Sequence, residues 1–130
     1  IIAHLDNLKV FGHRPDEQQL VPCYQRIAAL LAKHDVATEI NTGLYYRYPV
    51  REMCPSPAYL QALYERGVVL TTSSDSHFPD DVGAYLSEAR ERLREVGYAQ
   101  IATFTKRQRK MVPLEQEQDE SNRVRVSSGE

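Results

Sequence analysis

Residues 68–73, Val-Val-Leu-Thr-Thr-Ser, constrain the fold more than any other stretch of this chain. They are β-branched and apolar with no in–out alternation, the pattern of a strand covered on both faces and so of a parallel sheet flanked by helices. Shorter apolar runs repeat the theme at residues 1–5 (IIAHL), 36–41 (VATEIN) and 98–104 (YAQIATF). Helical spacings lie between them. Leu20, Tyr24, Ile27, Ala28 and Leu31 share one face of a helix over 20–34, with Pro22 in its first turn and His34-Asp35 at its end. Ser56 and Pro57 supply an N-cap and a first helical position for a second helix, which buries Leu60, Leu63 and Tyr64 and stops at Gly67. A third helix over 80–96 is lined by Val82, Tyr85, Leu86, Ala89, Leu93 and Val96, and Gly97 ends it. This alternation predicts an α/β protein with parallel strands, either an open doubly wound sheet or part of a barrel.

Both architectures gather chemistry at the carboxyl ends of their strands. The first predicted strand runs into His4 and Asp6, the second carries Glu39 and Asn41, and the third runs into Ser74, Asp75, Ser76 and His77. A D-x-H triplet directly after a buried strand sends a carboxylate and an imidazole out of the sheet rim, a pair suited to Zn, Mn or Fe. The competing role for Asp75 is an N-cap on the helix that follows. His4 is either a further metal donor or a satisfied histidine beside an apolar strand. Glu39 is costly to bury without a partner, so it is either paired to a ligand or cation or placed on an exposed edge. In 44–52 (LYYRYPVRE), Arg47 and Arg51 present planar donor forks that match the oxygens of an anionic substrate. The alternative is an aromatic loop whose arginines pair with Glu52 or water. His13 and His34 carry no assigned role, and nothing near Cys54 in the sequence lowers its pKa.

Composition removes other classes. The chain has 130 residues, one modest domain, with 16 Lys and Arg against 18 Asp and Glu for a net charge of −2, so it does not grip nucleic acid through bulk positive charge. No apolar run of about 18 residues spans a membrane, and no signal peptide is recognisable. Cys23 and Cys54 form no disulfide scaffold, and a cytoplasmic protein is expected. Phosphate-binding, dinucleotide-binding, nucleophile-elbow and zinc-protease motifs are missing from the sequence. The basic run Lys106–Lys110 reads as solvated surface, and the polar segment 115–130 as a disordered tail. Ile1 already lies inside an apolar run, so the chain reads as the later part of a longer protein.

Taken in order, IAHLDNLKVFG, TEINTG and SSDSHFPDDVG resemble the second half of the PHP (polymerase and histidinol phosphatase) domain family, most closely its histidinol-phosphatase-type members, over about residues 1–114. The resemblance implies the C-terminal part of a distorted seven-unit β/α (TIM-like) barrel holding up to three divalent metal ions at the strand ends. It implies His4, Asp75 and His77 as metal ligands, with Asp75 and His77 able to carry protons. Asn41 and Glu39 would line the site, Ser74 and Ser76 would orient ligands, and Arg47 and Arg51 would lie near a substrate phosphate. The family's opening H-x-H and its intermediate ligands have no counterpart in these residues. The resemblance therefore implies a missing N-terminal half of the same domain and no activity from these residues alone. The expected reaction is hydrolysis of a small phosphate monoester, histidinol phosphate first, by a metal-activated hydroxide. Other small phosphates or nucleotides are the alternative substrates, and a truncated non-catalytic module is the alternative role.

Overall fold

The computed structural model describes residues 1–114. Four helices and four strands follow one another as α1 (Glu17–Lys33), β1 (Thr38–Asn41), α2 (Gly43–Arg47), α3 (Pro57–Glu65), β2 (Leu70–Ser73), α4 (Leu86–Val96), β3 (Gln100–Thr105) and β4 (Gln108–Pro113). The chain is thus a mixed α/β protein. β1 and β2 pair in parallel, Thr38 opposite Leu70 through Asn41 opposite Ser73. β1 is buried along its whole length, whereas β2, the run expected to be covered on both faces, begins only at Leu70 and buries that residue alone, with Thr71 to Ser73 half-buried. The expected strand over 1–5 is reduced to a single parallel bridge from Ile2 to Thr38. Ile2 N–H donates to the Ala37 carbonyl, and Thr38 Oγ1 donates to the Ile2 carbonyl. Positive φ at His4 and Asp6 turns the chain away at once, and Ile1 and Ile2 stay exposed. Apolarity alone does not make a strand where no second neighbour supplies hydrogen bonds.

The strands are not all parallel. β3 and β4 form an antiparallel hairpin, Gln100 opposite Pro113, in place of the single strand over 98–104. Lys106 and Arg107 make its two-residue turn, both with positive φ, so this basic run is half turn and half strand. The hairpin is clasped to the turn after α1 by Arg109, whose Nη2 reaches both Asp35 carboxylate oxygens at 2.9 and 2.7 Å. Among the described residues the strands do not close into a barrel. The segment 115–130 lies outside the described residues.

Three helices depart from expectation at their ends. Asp16 caps α1 by accepting from Gln18 N–H, which starts the helix at Glu17 and leaves Pro22 inside it. The stretch read as a loop over 44–52 opens with the short α2. The helix over 80–96 keeps only its second part. Pro79–Asp81 makes one 3₁₀ turn, Gly83 and Tyr85 take positive φ, and α4 starts at Leu86. Val82 and Tyr85 are therefore exposed rather than core residues. Ile27 and Tyr64 also face out, while Tyr59 packs inward and stacks on Tyr24 with centroids 4.1 Å apart. Ser56 and Pro57 start α3 as expected, with Ser56 Oγ accepting from Tyr59 N–H. The core joins Tyr24, Ala28 and Leu31 of α1, Ile40 of β1, Leu60 and Leu63 of α3, Leu70 of β2 and Leu93 of α4. No helix among the described residues is long and apolar enough to cross a membrane.

Candidate functional site

Parallel pairing sends β1 and β2 out at the same edge, and the Ile2 bridge brings the first segment to that edge as well. Three chain segments therefore deliver side chains to one rim. Glu39 is only 8% exposed, and its burial is compensated there. Its Oε1 accepts the His4 backbone N–H at 3.1 Å and the Asn41 Nδ2 at 2.9 Å, and it stands 3.8 Å from His4 Nδ1. Asn41 passes the contact on, because its Oδ1 accepts the Gly43 N–H at 2.8 Å.

Gly43 is where the second group meets the first. A Cβ at that position would stand 3.0 Å from Asn41 Oδ1, 3.0 Å from Asp75 Oδ2 and 2.6 Å from Arg47 Nη2. A larger residue would make the Arg47 guanidinium shift and would crowd the other two groups, so glycine suits their close approach. Asp75 takes positive φ just past β2, with its N–H held by Ser73 Oγ at 3.2 Å. It does not cap a helix. Its Oδ2 accepts from Arg47 Nη2 at 2.6 Å, and its Oδ1 lies 3.7 Å from His77 Nε2. His4 and His77 are both exposed.

Aromatic rings wall this rim. Arg47 lies 5.9 Å from the Tyr46 ring and 5.6 Å from the Tyr48 ring. Tyr85, exposed at the start of α4, meets the rings of both Tyr45 and Tyr46. The Tyr46 hydroxyl donates to the Ser74 carbonyl at 2.7 Å, and burial, reinforced by the charge of Asp81, pushes its pKa up. Ser74 Oγ accepts from Gly83 N–H, so this serine anchors the 83–85 turn. Arg51 is not brought in. It is exposed, and its N–H donates to the Tyr48 carbonyl. Glu52 pairs with Lys9 and Arg14 instead of either loop arginine. Sequence reasoning missed Gly43, Tyr46 and Tyr85. The Asn-Thr-Gly run after β1 is the signal that points to Gly43, whereas the two tyrosines are placed by contacts distant in sequence.

The donor set fits a divalent cation in kind, with carboxylate oxygen and imidazole nitrogen on adjacent strand ends. In number it is short. Among the described residues no three His, Cys, Asp or Glu side chains gather closely enough to hold one.

An α/β framework with a polar, titratable rim at the ends of its parallel strands is the class these observations define. A probable histidinol-phosphatase of Deinococcus radiodurans is 37% identical to this chain over 113 residues, covering 86% of the chain. The chain spans 40% of that protein's length. No family model matches the chain.

Proposed function

We propose that this chain supplies one wall of the active site of a PHP-type, metal-dependent phosphatase acting on a small phosphate monoester, histidinol phosphate first. The observation that carries the reading is that two sets of contacts, His4–Glu39–Asn41–Gly43 and Arg47–Asp75–His77, lie side by side along one rim. The likeness to the Deinococcus protein supports the choice of reaction.

In this reading His4, Asp75 and His77 are the chain's share of the donors for up to three divalent ions, Zn, Mn or Fe, and further donors come from outside these 130 residues. Such ions, when bound, make water acidic enough to yield hydroxide near neutral pH. The protein's own groups do the rest. Glu39 fixes the His4 backbone, and Asn41 orients Glu39. Of Asp75 and His77, the one left uncoordinated would carry the proton delivered to the leaving alkoxide. Arg47 holds the phosphate oxygens through paired N–H groups, while Arg51, exposed and away from the rim, and Asn41, buried and bonded to Glu39 and Gly43, are left without that role.

The test uses the full-length protein, its metal content and phosphate release from histidinol phosphate. Asp75→Asn and His77→Ala are expected each to lower kcat/KM by more than about 100-fold, the upper range for groups that orient metal ligands. A protein that binds no metal and releases no phosphate overturns the reading in favour of a non-catalytic module. Faster release from nucleotides than from histidinol phosphate overturns the substrate assignment alone.

A further inference from the structure

Asp75 and Tyr85 mark the two ends of one loop, and both take positive φ, 47° and 59°. Such a setting is strained for a residue with a side chain and lasts only where neighbours impose it. The loop has little burial of its own to do so. Among the described residues that form the core none comes from 74–85, and Phe78 and Val82 stand exposed. The holds come from the segment that follows β1. The Tyr46 hydroxyl donates to the Ser74 carbonyl at 2.7 Å, and Thr42 Oγ1 donates to the Ala84 carbonyl at 2.7 Å. Each hydroxyl thus grips the residue just before a strained one. The Tyr85 ring is set against Tyr45 and Tyr46, and the Gly83 N–H closes the loop on Ser74 Oγ at 3.1 Å. Thr42 is the N-cap residue of α2 and stands four positions before Tyr46, the spacing that places both on one side of a helical turn.

We propose that Thr42 and Tyr46 form a two-point brace that sets where the 75–85 loop carries Asp75 and His77, and that both are positioning residues for the reaction at this rim. The inference rests on the proposed roles of Asp75 and His77 and adds the residues that act through them. Both hydroxyls bond backbone carbonyls, so they reach the two side chains only by way of the loop. His77 depends on this most. Its side chain is 60% exposed, and its ion-pair contact is with Asp75 of the same loop at 3.7 Å. A ring placed in this way moves with its backbone, and a misplacement of about 1 Å at a reacting group can cost roughly 100-fold in rate. Holding both ends of the loop from one short helix removes that freedom without putting a further side chain into the site.

The test compares the full-length natural protein with Tyr46→Phe, which keeps the ring, and with Tyr98→Phe. The Tyr98 hydroxyl makes the same kind of bond, 2.9 Å to the Val68 carbonyl, before the opposite end of β2. Amide hydrogen exchange and hydrolysis of histidinol phosphate are both measured. Tyr46→Phe is expected to speed exchange at the Asp75 and Gly83 amides by about tenfold, as the loss of one hydrogen bond allows. It is expected to lower kcat by about tenfold with KM little changed, the lower range for groups that orient ligands. Tyr98→Phe is expected to do neither. Unchanged exchange at Asp75 and Gly83 overturns the brace and leaves the proposed reaction standing. Faster exchange with an unchanged kcat overturns the positioning role, and equal losses in both variants overturn it in favour of general destabilisation. A natural protein that releases no phosphate overturns the proposed reaction and the positioning role with it. Should Tyr46→Phe misfold, Thr42→Val frees the other end of the loop with the side-chain shape kept. It is expected to speed exchange at Gly83 and lower kcat in the same way, and no change in either overturns the brace.

Discussion

Asp6 shows how much one buried carboxylate organises. It takes positive φ at 69°, a strained setting for a residue with a side chain, and its Oδ2 accepts from Lys9 Nζ at 2.8 Å and from Ser56 N–H at 2.8 Å. The Tyr24 hydroxyl reaches its Oδ1, and Lys9 also donates to the Met53 carbonyl. Both side chains are almost wholly removed from water. Removing one partner of such a pair strands the other charge. Lys9→Met is therefore expected to cost about 3–5 kcal/mol in urea unfolding; a loss below about 1 kcal/mol would show that water or Arg14 replaces the lysine. Cys54 belongs to the same neighbourhood. Burial pushes its thiol up to about 11, only partly offset by Lys9, while Cys23 is exposed. Thiolate is the reactive form. A thiol reagent at pH 8 is expected to label Cys23 alone in the native protein and both cysteines in denaturant. Rapid native labelling at two sites would mean that the Cys54 pocket opens.

At the scale of elements, the start of α3 was the most legible, whereas the Asp16 cap that starts α1 at Glu17 was not read. Ser56 caps α3 and is itself buried, with Asp6 holding its N–H, so one residue begins the helix and joins it to the first segment. Ser56→Ala is expected to cost about 1 kcal/mol by thermal or urea unfolding, the usual worth of a cap. No change would mean that the Asp6 contact alone fixes the helix start. The start of α4 was illegible for the opposite reason. The apolar spacing of Val82, Tyr85 and Leu86 suits a helix, yet Tyr85 gives up helical geometry to put its ring against Tyr45 and Tyr46. The β3–β4 hairpin hides in the same way. Two-residue turns with both φ values positive favour Asn-Gly or Asp-Gly, and here Lys106 and Arg107 stand in that setting, aided by the Arg109–Asp35 clasp.

Over the whole molecule, buried acids that must stay neutral set the alkaline limit. Burial raises Cys54 to about 11 and Tyr59 to about 12, and pushes Tyr98 up further still. Each folded pKa lies above its unfolded value, so the stability these groups contribute is complete below the unfolded values near 9 and 10. It is lost as pH rises toward 11 and 12. The melting temperature is expected to be level in this respect up to about pH 9 and to fall steeply between pH 9 and 12. A flat profile across that window would contradict the burial of these three groups.

The chain's own pattern was enough for the α/β class, for the run into β2, for the cap at Ser56 and for the types of residue collected after each strand. Those features follow from local spacing and side-chain chemistry, which any stretch of sequence carries with it. What Asp75 touches was not readable in advance. Arg47 lies 28 residues away and reaches it because β1 and β2 pair in register and Gly43 leaves the space. The same holds for Glu39, whose burial is tolerable only because His4 and Asn41 donate to it. Partners of this kind are chosen by packing in three dimensions, where distance along the chain no longer counts.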